Sequence, residues 1–124
     1  MTTTVITGTT NGIGLATARV LAKNQHRLLM LCRNLKAAEA VAREITKETS
    51  NSDIIPLLCD LSSLESVQNA AILIRQEVDQ IDILINNAGI ISPDQQFSID
   101  GFELTMAVNH LGPFLLTRSL ESLL

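Results

Sequence analysis

Apolar positions along the chain occur in two patterns, short runs typical of strands and the spacing typical of helices. Short apolar or β-branched runs predict strands at residues 3–7, 28–32, 53–59 and 81–86. Between and after these runs, apolar residues recur at helical spacing and predict helices at residues 13–23, from about 35 to 49, from about 63 to 78, and from about 102 to 124. The unbroken apolar run at 28–32 is typical of a strand that is covered on both faces of a sheet.

This alternation of strands and helices predicts the fold class. The order βαβαβαβ followed by a helix implies parallel strands joined by right-handed crossovers. We therefore expect residues 1–124 to form a single α/β domain, a Rossmann-type three-layer αβα arrangement with about four parallel strands in the order 3-2-1-4. Pro56 marks the third strand as an outer one, because proline cannot donate to a central ladder.

Polar residues before two of the helices are expected to cap them. Asn34 directly precedes the second predicted helix and has the side chain of an N-cap residue. Ser62 or Ser63 is expected to cap the third helix, and Glu65, three residues after Ser62, would complete a capping box.

Composition and charge exclude several classes of function. Hydrophobic residues make up 46% and charged residues 18% of the 124, so we expect an ordered domain with a core. The net charge is −4 and the nine Lys and Arg are scattered, so no basic stripe is available for nucleic-acid phosphates. Cys32 and Cys59 have no His or Cys at metal-ligand spacing, which predicts two buried free thiols and no metal site.

The start of the chain and its apolar runs bear on location. The first seven residues contain no basic stretch followed by an apolar one, so they do not resemble a signal peptide. No run approaches the ~20 apolar residues that a membrane span requires. The sequence alone therefore predicts a cytoplasmic protein without a membrane span.

Three glycines between the first predicted strand and the first predicted helix are the first candidates for a binding site. Gly8 would let the chain leave the strand tightly, Gly12 would let the backbone approach a pyrophosphate, and Gly14 would permit close helix–strand packing. The free amides at the start of the helix would then bind phosphate. A plain turn built from three glycines is the alternative that the spacing leaves open.

Four segments together resemble the short-chain dehydrogenase/reductase family. They are Thr7-Gly8-Thr9-Thr10-Asn11-Gly12-Ile13-Gly14, Asp60-Leu61, Asn86-Asn87-Ala88-Gly89 and Val108-Asn109-His110-Leu111-Gly112. They occur in the family's order and spacing and cover essentially the whole chain. The resemblance is narrowed to retinol-dehydrogenase-type and broad carbonyl-reducing members by Cys32-Arg33-Asn34, Asp60-Leu61-Ser62-Ser63 and Val108-Asn109-His110-Leu111-Gly112.

The resemblance implies an NAD(P)-dependent oxidoreductase that transfers hydride between the cofactor and a small carbonyl or alcohol substrate. It implies that Asp60 hydrogen-bonds the adenine amino group and that the Asn-Asn-Ala-Gly segment steadies the sheet and lines the cofactor. The cofactor-binding residues that it implies are Gly8, Thr10, Asn11, Gly12, Ile13, Gly14, Arg33, Asn34, Asp60, Leu61, Asn87, Ala88 and Gly89.

Arg33 bears on which nicotinamide cofactor is bound. In this fold an acidic residue at the end of the second strand holds the ribose of NAD, whereas an Arg accommodates the 2′-phosphate of NADP. Here that strand ends at Cys32-Arg33-Asn34, and the next acid is Glu39. We therefore expect NADP, with NAD the weaker alternative. A solvated loop charge is the other interpretation of Arg33, and residues 9–11 contain no second basic side chain.

Asn109 lies four residues before Pro113 in the last predicted helix. Because proline has no N–H, the Asn109 carbonyl is expected to lose its helical partner, and Gly112 would ease the resulting bend. The resemblance gives this carbonyl a catalytic role, holding a water that passes protons toward an active-site Lys. A residue that only caps a helix break is the alternative for Asn109.

The chain lacks residues that the family mechanism requires. It contains no Tyr, and its lysines, Lys23, Lys36 and Lys47, all precede the fourth predicted strand. The resemblance places the Ser, Tyr and Lys of proton transfer after the kinked helix. We therefore expect a chain that is C-terminally truncated relative to the family and cannot complete the reaction alone. A catalytically inactive nucleotide-binding or interaction module and an unstable fragment are the alternatives.

The edge of the fourth predicted strand and the final helix are both strongly apolar. An apolar strand edge with unpaired backbone groups promotes association. The sequence therefore predicts homo-oligomerisation through that edge or through the final helix.

Overall fold

The computed structural model describes all 124 residues and contains four strands and five α-helices. The strands are β1 (Thr3–Thr7), β2 (Arg27–Cys32), β3 (Ile54–Leu58) and β4 (Ile83–Ile85). The helices are α1 (Gly12–Lys23), α2 (Leu35–Thr49), α3 (Leu64–Glu77), α4 (Leu104–Met106) and α5 (Gly112–Leu120). A π-helical segment, Ala107–Leu111, joins α4 to α5, and a 3₁₀ turn, Glu121–Leu123, follows α5.

The four strands form one parallel sheet in the order β3-β2-β1-β4, which confirms the predicted topology. Central β1 pairs on both sides, so Val5 lies beside Leu29 on one side and Leu84 on the other. β3 is an outer strand, as Pro56 predicted. β4 is shorter than the predicted 81–86, and at its end the Asn87 amide turns back to the Ile85 carbonyl at 3.0 Å.

Alternate side chains of the central strands enter two separate cores, one on each face of the sheet. On one face Val5, Leu29 and Leu31 pack against α3 and α5. On the other face Ile6 and its β2 neighbours pack against α1 and α2. The helices therefore cover both faces, which confirms the three-layer arrangement and explains the unbroken apolar run of β2.

Both predicted caps are confirmed, but the predicted capping box is not. Asn34 caps α2, with its Oδ1 accepting from the Ala37 amide at 3.1 Å. Ser63, the second of the two candidates, caps α3 by accepting from the Ser66 amide at 3.2 Å. The capping box of Ser62 and Glu65 was a wrong prediction, because the Ser62 hydroxyl instead donates to the Asp60 carboxylate at 2.7 Å.

The helix predicted at residues 102–124, with a bend before Pro113, is present but differs in detail. It begins at Leu104 and widens into a π-helical turn, in which the Gly112 amide donates to the Ala107 carbonyl five residues earlier. This wide turn absorbs the missing N–H of Pro113. Gly112 does not ease a bend, since its φ of −61° and ψ of −54° are ordinary helical values. A Cβ there would lie 2.5 Å from the Leu61 carbonyl oxygen, so close packing requires glycine.

A buried amide that the sequence did not single out joins α1 to the outer strand. The Asn51 side chain donates to the carbonyls of Ala22 and His26 at 3.0 and 2.9 Å. Its Oδ1 accepts from the Asp53 amide at 2.9 Å. These bonds tie the end of α1 and the residue before β2 to the segment that leads into β3.

No helix combines the length and the apolar character needed to cross a membrane.

Candidate cofactor site

The carboxyl ends of all four strands meet along one edge of the sheet, where a cleft of about 410 Å³ opens. The glycine turn after β1 forms its floor together with the ends of β2 and β3, and the segment after β4 forms a further wall. In open parallel sheets this edge is where ligands bind. The cleft is therefore the candidate functional site.

Most residues of the predicted cofactor set line this cleft. They are Gly8, Thr10, Asn11, Ile13, Gly14, Arg33, Asp60, Leu61, Asn87, Ala88 and Gly89. Gly12 and Asn34 do not line it, and neither does Asn109. Asn34 is occupied as the cap of α2.

Several other residues line the cleft that were not in the predicted cofactor set. They are Leu31, Cys32, Cys59, Ser62, Ile90, Leu104 and Val108. All except Leu104 lie within or directly beside the quoted motifs, so adjacency was an available signal. Ile90, Leu104 and Val108 are apolar wall residues, and apolar residues of this kind have no pattern that distinguishes them from core positions.

Glycine is required at the turn for two different reasons. A Cβ on Gly14 would lie 1.9 Å from the Gly8 carbonyl oxygen, so the helix can approach the strand only without a side chain. Gly12 has a φ of +54°, where glycine is favoured, and a Cβ there would meet no atom within 4 Å. The protein thus leaves the space in front of Gly12 open, which fits the predicted approach of a pyrophosphate.

The first turn of α1 presents unpaired backbone donors beside the cleft. Leu15 is the first residue whose amide bonds back, to the Asn11 carbonyl at 3.1 Å. The amides of Gly12, Ile13 and Gly14 have no partner in the protein, since the Asn11 side chain does not cap the helix. Free amides and the positive end of a 12-residue helix suit phosphate oxygens.

The Asn-Asn-Ala-Gly segment locks the end of β4 onto the glycine turn. The amides of Asn87 and Ala88 donate to the Thr7 hydroxyl at 3.0 and 2.9 Å. The Asn87 side chain donates to the carbonyls of Thr7 and Gly8 at 3.0 and 3.1 Å. This network fixes the turn from the side that faces β4.

Asp60 and Arg33 supply the charged groups of the cleft. Oδ1 of Asp60 accepts from the amide and hydroxyl of Ser62, whereas Oδ2 has no hydrogen-bond partner in the protein. Arg33 is exposed, lines the cleft and makes no ion pair. Glu39, the nearest acid after β2, lines a different groove. A guanidinium without a carboxylate partner remains at the end of β2.

Asn109 does not line the cleft, but its side chain is hydrogen-bonded to Ile90, which does. Its side chain donates to the Ile90 carbonyl and accepts from the Ile90 amide, both at 2.8 Å. Ile90 lines the cleft, so this reciprocal pair fixes the position of the wall relative to the π-helical segment. The catalytic role of the Asn109 carbonyl stays a prediction.

Both cysteines are buried free thiols, as predicted. Cys32 ends β2 and Cys59 directly follows β3, and the Cys59 amide donates to the Cys32 carbonyl at 2.9 Å. Burial raises the pKa of the Cys59 thiol to about 12, with further contributions from nearby Asp60 and Cys32. Cys59 is therefore protonated at neutral pH.

Comparison with known proteins gives a family for this arrangement. A family model described as short chain dehydrogenase matches residues 2–124. The chain belongs to the short-chain dehydrogenase family. The resemblance drawn from the motifs of the chain is therefore confirmed. The narrower resemblance is confirmed as well, because retinol dehydrogenases are among the similar proteins.

Human retinol dehydrogenase 13 is 42% identical to this short-chain dehydrogenase chain over 118 residues. That alignment covers 95% of the chain and 36% of the human protein. Retinol dehydrogenase 12 of Bos taurus is 44% identical over 116 residues, covering 94% of the chain and 37% of the relative. The chain thus spans little more than a third of the length of these relatives.

Solved structures share the Rossmann architecture of the short-chain dehydrogenases. An alcohol dehydrogenase from the archaeon Thermococcus sibiricus, complexed with 5-hydroxy-NADP, superposes with a TM-score of 0.85 at 29% identity. The superposition covers 99% of this chain and 53% of the archaeal one.

Proposed function

We propose that the cleft binds a nicotinamide dinucleotide and prefers NADP(H) to NAD(H). One observation carries the proposal: the unpaired amides of α1 lie beside the same cleft as the unpaired guanidinium of Arg33. The amides would hold the pyrophosphate and Arg33 the 2′-phosphate of the ribose. The unpartnered Oδ2 of Asp60 would accept from the adenine amino group. The archaeal structure complexed with 5-hydroxy-NADP supports this assignment.

We further propose that the protein acts as an oxidoreductase on a small carbonyl or alcohol substrate. A bound nicotinamide would supply or accept hydride. Within this chain, the Asn109 carbonyl would hold a water for proton transfer, and the Asn109 side chain would keep Ile90 in place beside the cofactor. The open space in front of Gly12 would admit the pyrophosphate. Residues 1–124 would act as one domain.

A second candidate function is a nucleotide-binding module without chemistry. The specific observation in its favour is that the 124 residues contain no Tyr, and that no Lys follows Lys47. In the family mechanism a Tyr of shifted pKa is the acid and base. On this ground we expect the 124-residue chain to bind cofactor without turnover.

Titration of the purified chain with NADPH and NADH in parallel tests the proposal. The chain contains no Trp or Tyr, so the fluorescence of the reduced nicotinamide can be followed without strong protein emission. We expect saturable binding with a lower Kd for NADPH. A chain that is folded by circular dichroism but binds neither cofactor would contradict the proposal. Alcohol oxidation by this chain alone would contradict binding without turnover.

We also propose that the chain self-associates through the free edge of β4. β4 pairs with β1 on one side only, and Ile83 on this strand is 37% exposed. The final helix offers a second apolar surface, since Phe114 is 60% exposed. Unpaired backbone groups beside apolar side chains favour pairing with another strand.

A further inference from the structure

Thr9 lies in the middle of the glycine turn but does not line the cleft. Its neighbours Gly8 and Thr10 both line it, whereas Thr9 is fully buried. The Thr9 hydroxyl has a single side-chain partner, the Cys32 thiol, with Oγ1 and Sγ 3.0 Å apart. A buried hydroxyl with one partner favours the conformation that keeps that contact.

Cys32 is the last residue of β2, and contacts from two neighbouring segments fix it. Its thiol contacts Thr9, and its carbonyl accepts from the Cys59 amide of the neighbouring chain segment at 2.9 Å. One residue earlier, the Leu31 carbonyl accepts from the Gly8 amide at 3.0 Å. The glycine turn and the end of β2 are therefore joined by one backbone contact and one side-chain contact.

Arg33 follows Cys32 directly and is bounded on its other side by Asn34, which caps α2. The backbone of Arg33 is thus fixed at both ends, while its side chain makes no hydrogen bond or ion pair. Where the guanidinium lies relative to the α1 amides depends on how Cys32 and Asn34 are held.

We infer that Thr9 and Cys32 form a positioning pair that sets the place of Arg33 relative to the glycine turn, and thereby the selectivity for a 2′-phosphorylated dinucleotide. The inference rests on the proposed binding of NADP(H). A dinucleotide joins its pyrophosphate to its 2′-phosphate through one ribose, so the protein must present both anion sites at a matching distance. Thr9 touches neither phosphate and acts through Cys32.

The Thr9→Val variant tests the pair, because valine keeps the shape of threonine and removes the hydroxyl. We expect the ratio of the NADH and NADPH Kd values to fall about 2- to 10-fold, the range expected from loss of one hydrogen bond. The change should come mainly from weaker NADPH binding. Thr9→Ser keeps the hydroxyl and should keep the wild-type ratio.

Thr4→Val is the matched control, on the strand that precedes the glycine turn. Thr4 is also fully buried, and its hydroxyl contacts one side chain, His26 Nδ1, at 2.9 Å. It lies toward the amino end of β1, away from the cleft. We expect this variant to lose stability and to leave the Kd ratio unchanged.

The outcomes separate this inference from the proposed function. Wild-type binding with NADPH preference, together with an unchanged ratio in Thr9→Val, would overturn the positioning role alone. An equal shift in Thr4→Val would also overturn it, because general destabilisation would then explain the effect. Wild-type chain that binds neither cofactor would overturn both. If Thr9→Val does not fold, Cys32→Ala removes the same contact from β2 and is judged by the same ratio.

Discussion

Gly12 and Gly14, two glycines of the turn between β1 and α1, have different structural roles. Gly14 is a packing position, since the Gly8 carbonyl occupies the space that a side chain would need. Gly12 is a conformational position, with a left-handed φ and open space around it. The same substitution should therefore have different effects at the two sites.

We expect Gly14→Ala to lower the free energy of unfolding by about 1–3 kcal/mol or more, because its methyl group would overlap backbone. Gly12→Ala should cost about 1–2 kcal/mol from backbone strain and should weaken cofactor binding. Urea unfolding and NADPH titration of both variants measure these effects. A larger stability loss in Gly12→Ala than in Gly14→Ala, or unchanged NADPH binding in Gly12→Ala, would contradict the assignment of separate roles.

Arg33→Asp is expected to weaken NADPH binding by roughly 10- to 100-fold, the range for loss of a charge-assisted hydrogen bond. NADH binding should hold or improve, because a carboxylate at the end of β2 suits a free ribose hydroxyl. Lys36→Asp makes the same change of charge outside the cleft and serves as the control. Unchanged cofactor preference in Arg33→Asp would remove Arg33 from the site.

Single residues also show where sequence reasoning ends. The cap at Asn34 was predictable because its partner lies three residues away. The contacts of Asn51 and Asn109 join them to residues 29 and 19 positions away, so no local pattern announces them. Gly112 was expected to help a bend, but its reason is the Leu61 carbonyl, which only the folded chain brings near.

At the scale of elements, the start of α4 depends on one carboxylate. Glu103 accepts from the amides of Met106 and Thr105 at 2.7 and 3.0 Å. These bonds, that to Met106 first, lower the pKa of Glu103 below its usual range. The folded chain therefore favours the charged form more than the unfolded chain does.

This lowered pKa predicts a pH dependence of stability. The contribution of Glu103 should be complete above the pKa of the unfolded state and lost as the pH falls through the lower folded value. Urea unfolding of wild type and Glu103→Gln at about pH 7 and about pH 3 measures it. The two should differ more at the higher pH. Glu77→Gln, an exposed position on α3, is the control, and an equal gap at both pH values would refute the assignment.

The positions of strands and helices followed from periodicity, but the form of the break in the final helix did not. Pro113 announced that the helix could not run on unchanged. Whether the chain bends, ends or widens depends on what packs beside it, and here Leu61 and Ile90 hold both flanks of the π-helical segment. Tertiary contacts therefore decided the form of a break whose location the sequence announced.

For the molecule as a whole, the free edge of β4 is expected to govern association. Ile83→Lys should reduce concentration-dependent self-association, because a charge on the edge opposes strand pairing. Sedimentation velocity across a concentration series measures this. Ile72→Lys, at a 54% exposed position on α3, introduces the same charge elsewhere. A similar reduction in both variants would point to net charge rather than to the edge.

The strand order was predictable because alternating strands and helices admit few arrangements. The cleft followed from that order, since motifs at the ends of parallel strands must meet at one edge. The apolar walls of the cleft could not be predicted in the same way. Leu104 and Val108 reach the cleft because α4 and the π-helical segment carry them there.

The central place of the first strand has a consequence for biosynthesis. The Thr3 amide bonds the Asp82 carboxylate across 79 positions, so β1 leaves the ribosome long before its β4 neighbour exists. At about 5–20 residues per second, β1 waits roughly 4–16 seconds for that neighbour. Nascent chains arrested at increasing lengths should become resistant to protease only after β4 has emerged.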